Sequence, residues 1–151
     1  MLKIAAVVGV LVSVSGEAYA LDTTIPLQAG FPGSPRIHLR CGNTGHPVFS
    51  ILLDRSFSTF GPTPDTVILV LGGNNTAFVA HGFALSTTTG LEIVGEVDSN
   101  ADLRDFINYV DSSRLPPISL VVPEKSVYLD TMMSAADGKR LADQFSADCG
   151  G

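Results

Sequence analysis

Tryptophan is absent, and the chain holds only two cysteines and three histidines. Without tryptophan, an aromatic platform for stacking sugars would rest on Tyr and Phe alone. The cysteines, Cys41 and Cys149, form no C-x-x-C, which speaks against a redox or zinc pair. His38, His46 and His81 show neither H-x-x-x-H nor H-E-x-x-H spacing, so sequence gives them no shared metal. Basic runs are missing too. Lys and Arg number 9 against 15 Asp and Glu, a net charge of −6, and such a surface repels phosphate backbones. Nucleic acid is therefore a poor partner.

The usual catalytic signatures are equally scarce. No G-x-S-x-G elbow frames a serine nucleophile. Gly72-Gly73-Asn74-Asn75 lacks the lysine and the following helix of a phosphate-binding loop, and reads as a turn. Asp98-x-Asn100-x-Asp102 copies the opening of a calcium loop. Leu103 then stands where the loop needs glycine, and Tyr109 where it needs a bidentate glutamate. Helix capping explains the same residues better. No cofactor and no catalytic residue is expected.

One long apolar run is present, at the very start. Lys3 precedes it, residues 4–14 are almost entirely apolar, and Ala18-Tyr19-Ala20 fits the small-x-small cleavage pattern of a secretory signal. Residues 1–20 are expected to be removed, leaving Leu21 as the mature start. The run is too short for a membrane span, which needs about 20 apolar residues, and no later stretch is a candidate. Export makes a Cys41–Cys149 disulfide the default fate of two lone cysteines.

The rest reads as an irregular arm over 21–35, rich in Pro and Gly, followed by a single domain over 36–151. Arg36-Ile37-His38-Leu39-Arg40-Cys41 alternates at period two, placing Ile37, Leu39 and Cys41 on one face and Arg36, His38 and Arg40 on the other. Residues 47–53 are apolar on both faces and read as the returning strand of a hairpin. Further strands are expected at 66–71, 76–85 (broken by Gly82), from Leu91, at 118–122 and at 127–129. Ser99 caps a short amphipathic helix over 101–110, with Leu103, Phe106, Ile107 and Val110 at helical spacing. Ser134 and Asp137 cap a second, on which Leu141, Phe145 and Cys149 recur every four residues. The expected fold is α+β. Six or seven short, mostly antiparallel strands make a small sheet, sandwich-like in one arrangement, with an inserted helix. A C-terminal helix is tied to the first strand by the disulfide.

The strand ending Leu-Arg-Cys and the final helix closing on a cysteine resemble periplasmic accessory proteins associated with bacterial type VI secretion. That resemblance implies a non-enzymatic periplasmic role with Cys41 and Cys149 as a structural pair. The leading expectation is an exported, non-catalytic domain that binds another protein as an accessory of envelope or secretion machinery. The alternatives are a periplasmic inhibitor or immunity protein of a cell-wall hydrolase, and a small secreted hydrolase. Two features suit binding. One is the cationic stripe Arg36, His38 and Arg40, fit for a carboxylate, a phosphate or an acidic peptide. The other is the pair Phe57 and Phe60 in a polar loop.

Overall fold

The computed structural model describes residues 24–27, 33–41, 46–54, 56 and 63–149. Within them the chain runs β1 (Ile25–Pro26), β2 (Arg36–Cys41), β3 (Pro47–Leu53), β4 (Thr63–Gly72), β5 (Ala77–Ser86) and β6 (Leu91–Val97). It continues through α1 (Asn100–Ser112), β7 (Pro117–Val122), β8 (Val127–Met132) and α2 (Ala135–Cys149). The eight strands form one sheet in the order β1-β2-β3-β6-β5-β4-β7-β8, and every pairing is antiparallel. The fold is α+β, as the alternation and capping signals imply, with one curled sheet in place of two facing ones.

The extra strand comes from the arm. Ile25 and Leu27 are fully buried, and Ile25 pairs with Ile37. Pro26 cannot donate to a ladder, but an edge position asks only one side of it to pair. Among the described strands the Cys41 strand is thus the second and not the first. Ile25 and Leu27 of the arm belong to the core.

Local chemistry explains most of the turns. Between β4 and β5, Asn74 and Asn75 both take positive φ, 56° and 60°, and Thr76 N donates to Gly73 O at 3.1 Å. This is the type I′ geometry that matches the twist of a hairpin. The left-handed positions fall on the asparagines, which tolerate them. β4 begins at Thr63, earlier than the apolar run suggests. An irregularity at Asp65, φ 56°, interrupts its pairing with β5, and a bulge of this kind hides a strand start from period counting.

Gly82 does not break β5. It pairs with Gly95 of β6, and a Cβ built at Gly82 would lie 1.8 Å from Val94 O. The missing side chain lets two strands approach more closely than any other residue would permit.

Both helices start as their caps demand. Ser99 Oγ accepts from Asp102 N at 3.2 Å, and Ser134 Oγ accepts from Asp137 N at 3.1 Å. They pack against each other, α1 over β4 and β5, α2 over β1 and β2. Gly138 permits the helix contact, since a Cβ there would sit 2.5 Å from Val110 O. Beneath them a line of rings runs from Phe49 through Phe78 to Phe106, with successive centroids 5.1 Å apart and edge-on. Such pairs add about 0.5–1.5 kcal/mol each beyond area burial.

The sheet curls toward its helix-bearing side until its two edges meet. Thr131 Oγ1 of β8 donates to Leu27 O, just past β1, at 3.0 Å. Cys149, the end of the Leu141–Phe145–Cys149 stripe, is bonded to Cys41 with the Cα atoms 5.0 Å apart, at a sequence separation of 108. A closure of that length removes about 4–5 kcal/mol of unfolded-state freedom on the loop-entropy model. Cys149→Ser is therefore expected to lower the melting temperature by roughly 10–20 °C. An unchanged melting curve would show the bond to be irrelevant to stability.

Candidate functional site on the outer face of the sheet

Alternation gives every strand an inner side chain facing the helices and an outer one facing away. The inner set is the core: Ile37 and Leu39, Phe49 and Ile51, Ile93, Phe78 and Ala80, Ile68 and Val70, Leu120 and Val122. The outer set is not covered by any described element, and its columns differ in chemistry from strand to strand.

On β2 the outer column is Arg36, His38 and Arg40, all half-buried. On β3 it is Val48, Ser50 and Leu52, and on β6 it is Glu92, Val94 and Glu96. The ladders align these three columns in rows. Arg36 pairs with Leu52 and Leu52 with Glu92; Arg40 pairs with Val48 and Val48 with Glu96. A positive and a negative column thus stand two strands apart, about 10 Å, with an apolar strip between.

Beyond β6 the outer face turns apolar. Phe83 and Leu85 on β5 are 44% and 41% exposed, Leu71 on β4 is 37% exposed, and Tyr128 and Met132 on β8 are 67% and 58% exposed. Leu69 and Val121 lie between β5 and β8 as a register pair, and Val121 pairs with Tyr128. Exposed large apolar groups are informative, and here they fall toward two ends of one face: Phe83 and Leu85 by the start of β4, Leu71 and Met132 by its end. In the β5–β6 ladder Leu85 stands beside Glu92 and Phe83 beside Val94, so this apolar arc begins where the charged columns end.

The charged columns are held in place. Arg36 Nε donates to Thr24 Oγ1 at 2.6 Å and its Nη2 to Thr24 O at 3.1 Å, which ties the stripe to β1. Partial burial pushes the His38 pKa below its ordinary 6.5, and the Arg40 guanidinium lowers it further; Asp148 of α2 and Glu92 oppose the shift. Between its lowered value and 6.5, the unfolded chain binds more protons at His38 than the folded one. Stability at this residue is therefore lost as pH falls through 6.5 and levels off below the lowered value.

The other histidines are exposed and sit at the far end of β6. His81 Nε2 is 2.9 Å from Asp98 and His46 Nδ1 is 3.6 Å from Glu96. Together with Val97 these four line a shallow hollow of about 460 Å³. A second hollow, of about 370 Å³, lies between the β4–β5 turn and α1, where Asn74, Asn75, Asp102 and Asp105 face it. Asp98 lies beside His81, and the backbone N–H of Asp102 donates to the Ser99 cap at the start of α1. Among the described residues no group of three or more His, Cys, Asp or Glu could hold a metal ion, and no helix is long and apolar enough to cross a membrane.

The expected stripe Arg36, His38 and Arg40 is thus one column on one face, while Phe57 and Phe60 lie outside the described residues. Sequence reasoning missed the apolar arc. Phe83 and Leu85 were legible as the outward phase of β5, had Gly82 been read as continuing the strand. Tyr128 and Met132 alternate with Val127 and Leu129 and carried the same signal. No protein-family model, curated protein or solved structure matches this chain.

The His38 shift can be measured by an NMR pH titration. Its midpoint is expected below 6.5, chiefly through burial, and should rise in Arg40→Ala. A wild-type midpoint at or above 6.5, or one indifferent to Arg40→Ala, would contradict this account of the stripe.

Proposed function

We propose that this protein is an exported, non-catalytic domain that binds another protein through the apolar arc of its outer sheet face, as an accessory of envelope or secretion machinery. The observation that carries the reading is the arc itself. Leu71, Phe83, Leu85, Tyr128 and Met132 are large apolar side chains left more than a third in water, on one side of one sheet. Covering the area they leave exposed contributes about 25 cal/mol per Å² of apolar surface, and aromatic anchors dominate protein interfaces.

Two further features support it. The disulfide between Cys41 and Cys149 suits an oxidising compartment, as does the signal-like start of the chain. The resemblance of the Leu-Arg-Cys strand and the cysteine-closed final helix to type VI secretion accessories points the same way.

The test is capture from envelope extract with the full-length gene expressed in its host. Material from the exported fraction should have a mass corresponding to a start at Leu21. It should retain one stoichiometric partner, and Tyr128→Ser with Met132→Ser should lose that partner while keeping the melting temperature. Both residues are exposed, so the fold should tolerate the change. A double variant that captures as well as wild type would overturn the binding surface. Protein recovered only with Met1 attached would overturn export.

A further inference from the structure

The charged half of the outer face has a symmetry that its register makes explicit. Arg36, Leu52 and Glu92 lie in one row across β2, β3 and β6, and Arg40, Val48 and Glu96 in another. A two-fold axis laid along β3, between two molecules stacked face to face, exchanges the β2 and β6 columns and keeps each row at its own height. Arg36 then meets Glu92 of the partner subunit, and Arg40 meets Glu96 of the partner subunit. Each pair forms twice. An axis at right angles to the strands instead inverts the rows and breaks these pairings.

We infer that this strip docks a second copy of the same chain, as a two-fold sandwich of outer faces centred on β3. The inference rests on the reading of the outer face as a docking surface, but uses a different part of it from the apolar arc. At the centre Val48 and Leu52 stack on their equivalents. Ser50, only 4% exposed, leaves no bulky group on the axis to hold the sheets apart. Self-complementarity of this kind is what a two-fold interface requires. Stacked sheets stand about 10 Å apart, within reach of an Arg and a Glu extended toward each other.

The arginines need not be idle for this. Arg36 already donates to Thr24 through Nε and Nη2, and a guanidinium has five N–H donors in a fixed fork. Those bonds aim the group before any partner arrives. A strip only three strands wide on a curled sheet is narrow beside the roughly 1,200–2,000 Å² of a standard interface. The expected dimer is micromolar and weakened by salt, because its recognition is charge pairing at a wet surface.

Sedimentation of the oxidised protein, made from the full chain, tests this with a charge swap in one row. Arg40→Glu and Glu96→Arg each place two like-charge contacts in the dimer, and both leave the Arg36–Thr24 bonds in place. Wild type should dimerise in the micromolar range, and each variant should associate at least tenfold more weakly. An equimolar mixture of the two variants should restore association, since every contact in the mixed dimer is again between opposite charges. Circular dichroism checks that each variant is folded. A wild type that stays monomeric up to about 1 mM, a range that would detect even weak association, would overturn the inference. So would variants that dimerise like wild type, or two folded variants that fail to complement. Capture that still depends on Tyr128 and Met132 would leave the proposed function standing in each of those cases. A dimer without such capture would do the reverse.

Discussion

Cys149 ends the apolar stripe of α2, and its bond to Cys41 anchors that helix to the second strand of the sheet. That helix packs on β1 and β2, whose inner side chains Ile25, Ile37 and Leu39 are buried. The helix in turn presses on α1 through the gap that Gly138 leaves beside Val110. One covalent contact thus fixes the order of the layers: sheet, then two helices, with the aromatic line Phe49–Phe78–Phe106 between. With the inner face filled, whatever this sheet does for other molecules falls to its outer face.

That outer face is organised by strand, a direct consequence of all-antiparallel pairing. Each strand contributes one column of outward side chains, and the ladder sets the height of each residue against its neighbours. Positive charge occupies β2, negative charge β6, and exposed apolar groups β4, β5 and β8. The charged and apolar columns meet at the β5–β6 ladder, where Leu85 is the register partner of Glu92.

Local signals made the elements legible and left their arrangement hidden. Ser99, Ser134 and the i, i+4 stripe of Leu141 and Phe145 announce the helices because caps and stripes are chemistry within one turn. The hairpin of β2 and β3 follows from alternation, and the disulfide was expected from two lone cysteines behind a signal-like start. The meeting of β1 with β8 is a contact between residues 104 apart, and no local pattern encodes it. Gly82 misleads for the same reason. Its role is set by Gly95 and Val94 across the ladder, so from sequence it looks like a breaker. The stripe Arg36, His38 and Arg40 was readable as a face, but its opposition to Glu92 and Glu96 needed β6 to lie beside β3. That adjacency skips two intervening strands in the chain.

Hydroxyl-radical footprinting tests the central claim, that the outer face of the sheet is where this protein meets its partners. Oxidation of purified dilute protein would be compared with that of the same protein in envelope extract. The account predicts that Phe83, Tyr128 and Met132 are protected in the extract while Leu115, exposed on the α1–β7 connection, labels equally in both. Equal labelling of all four, or protection confined to Leu115, would contradict it.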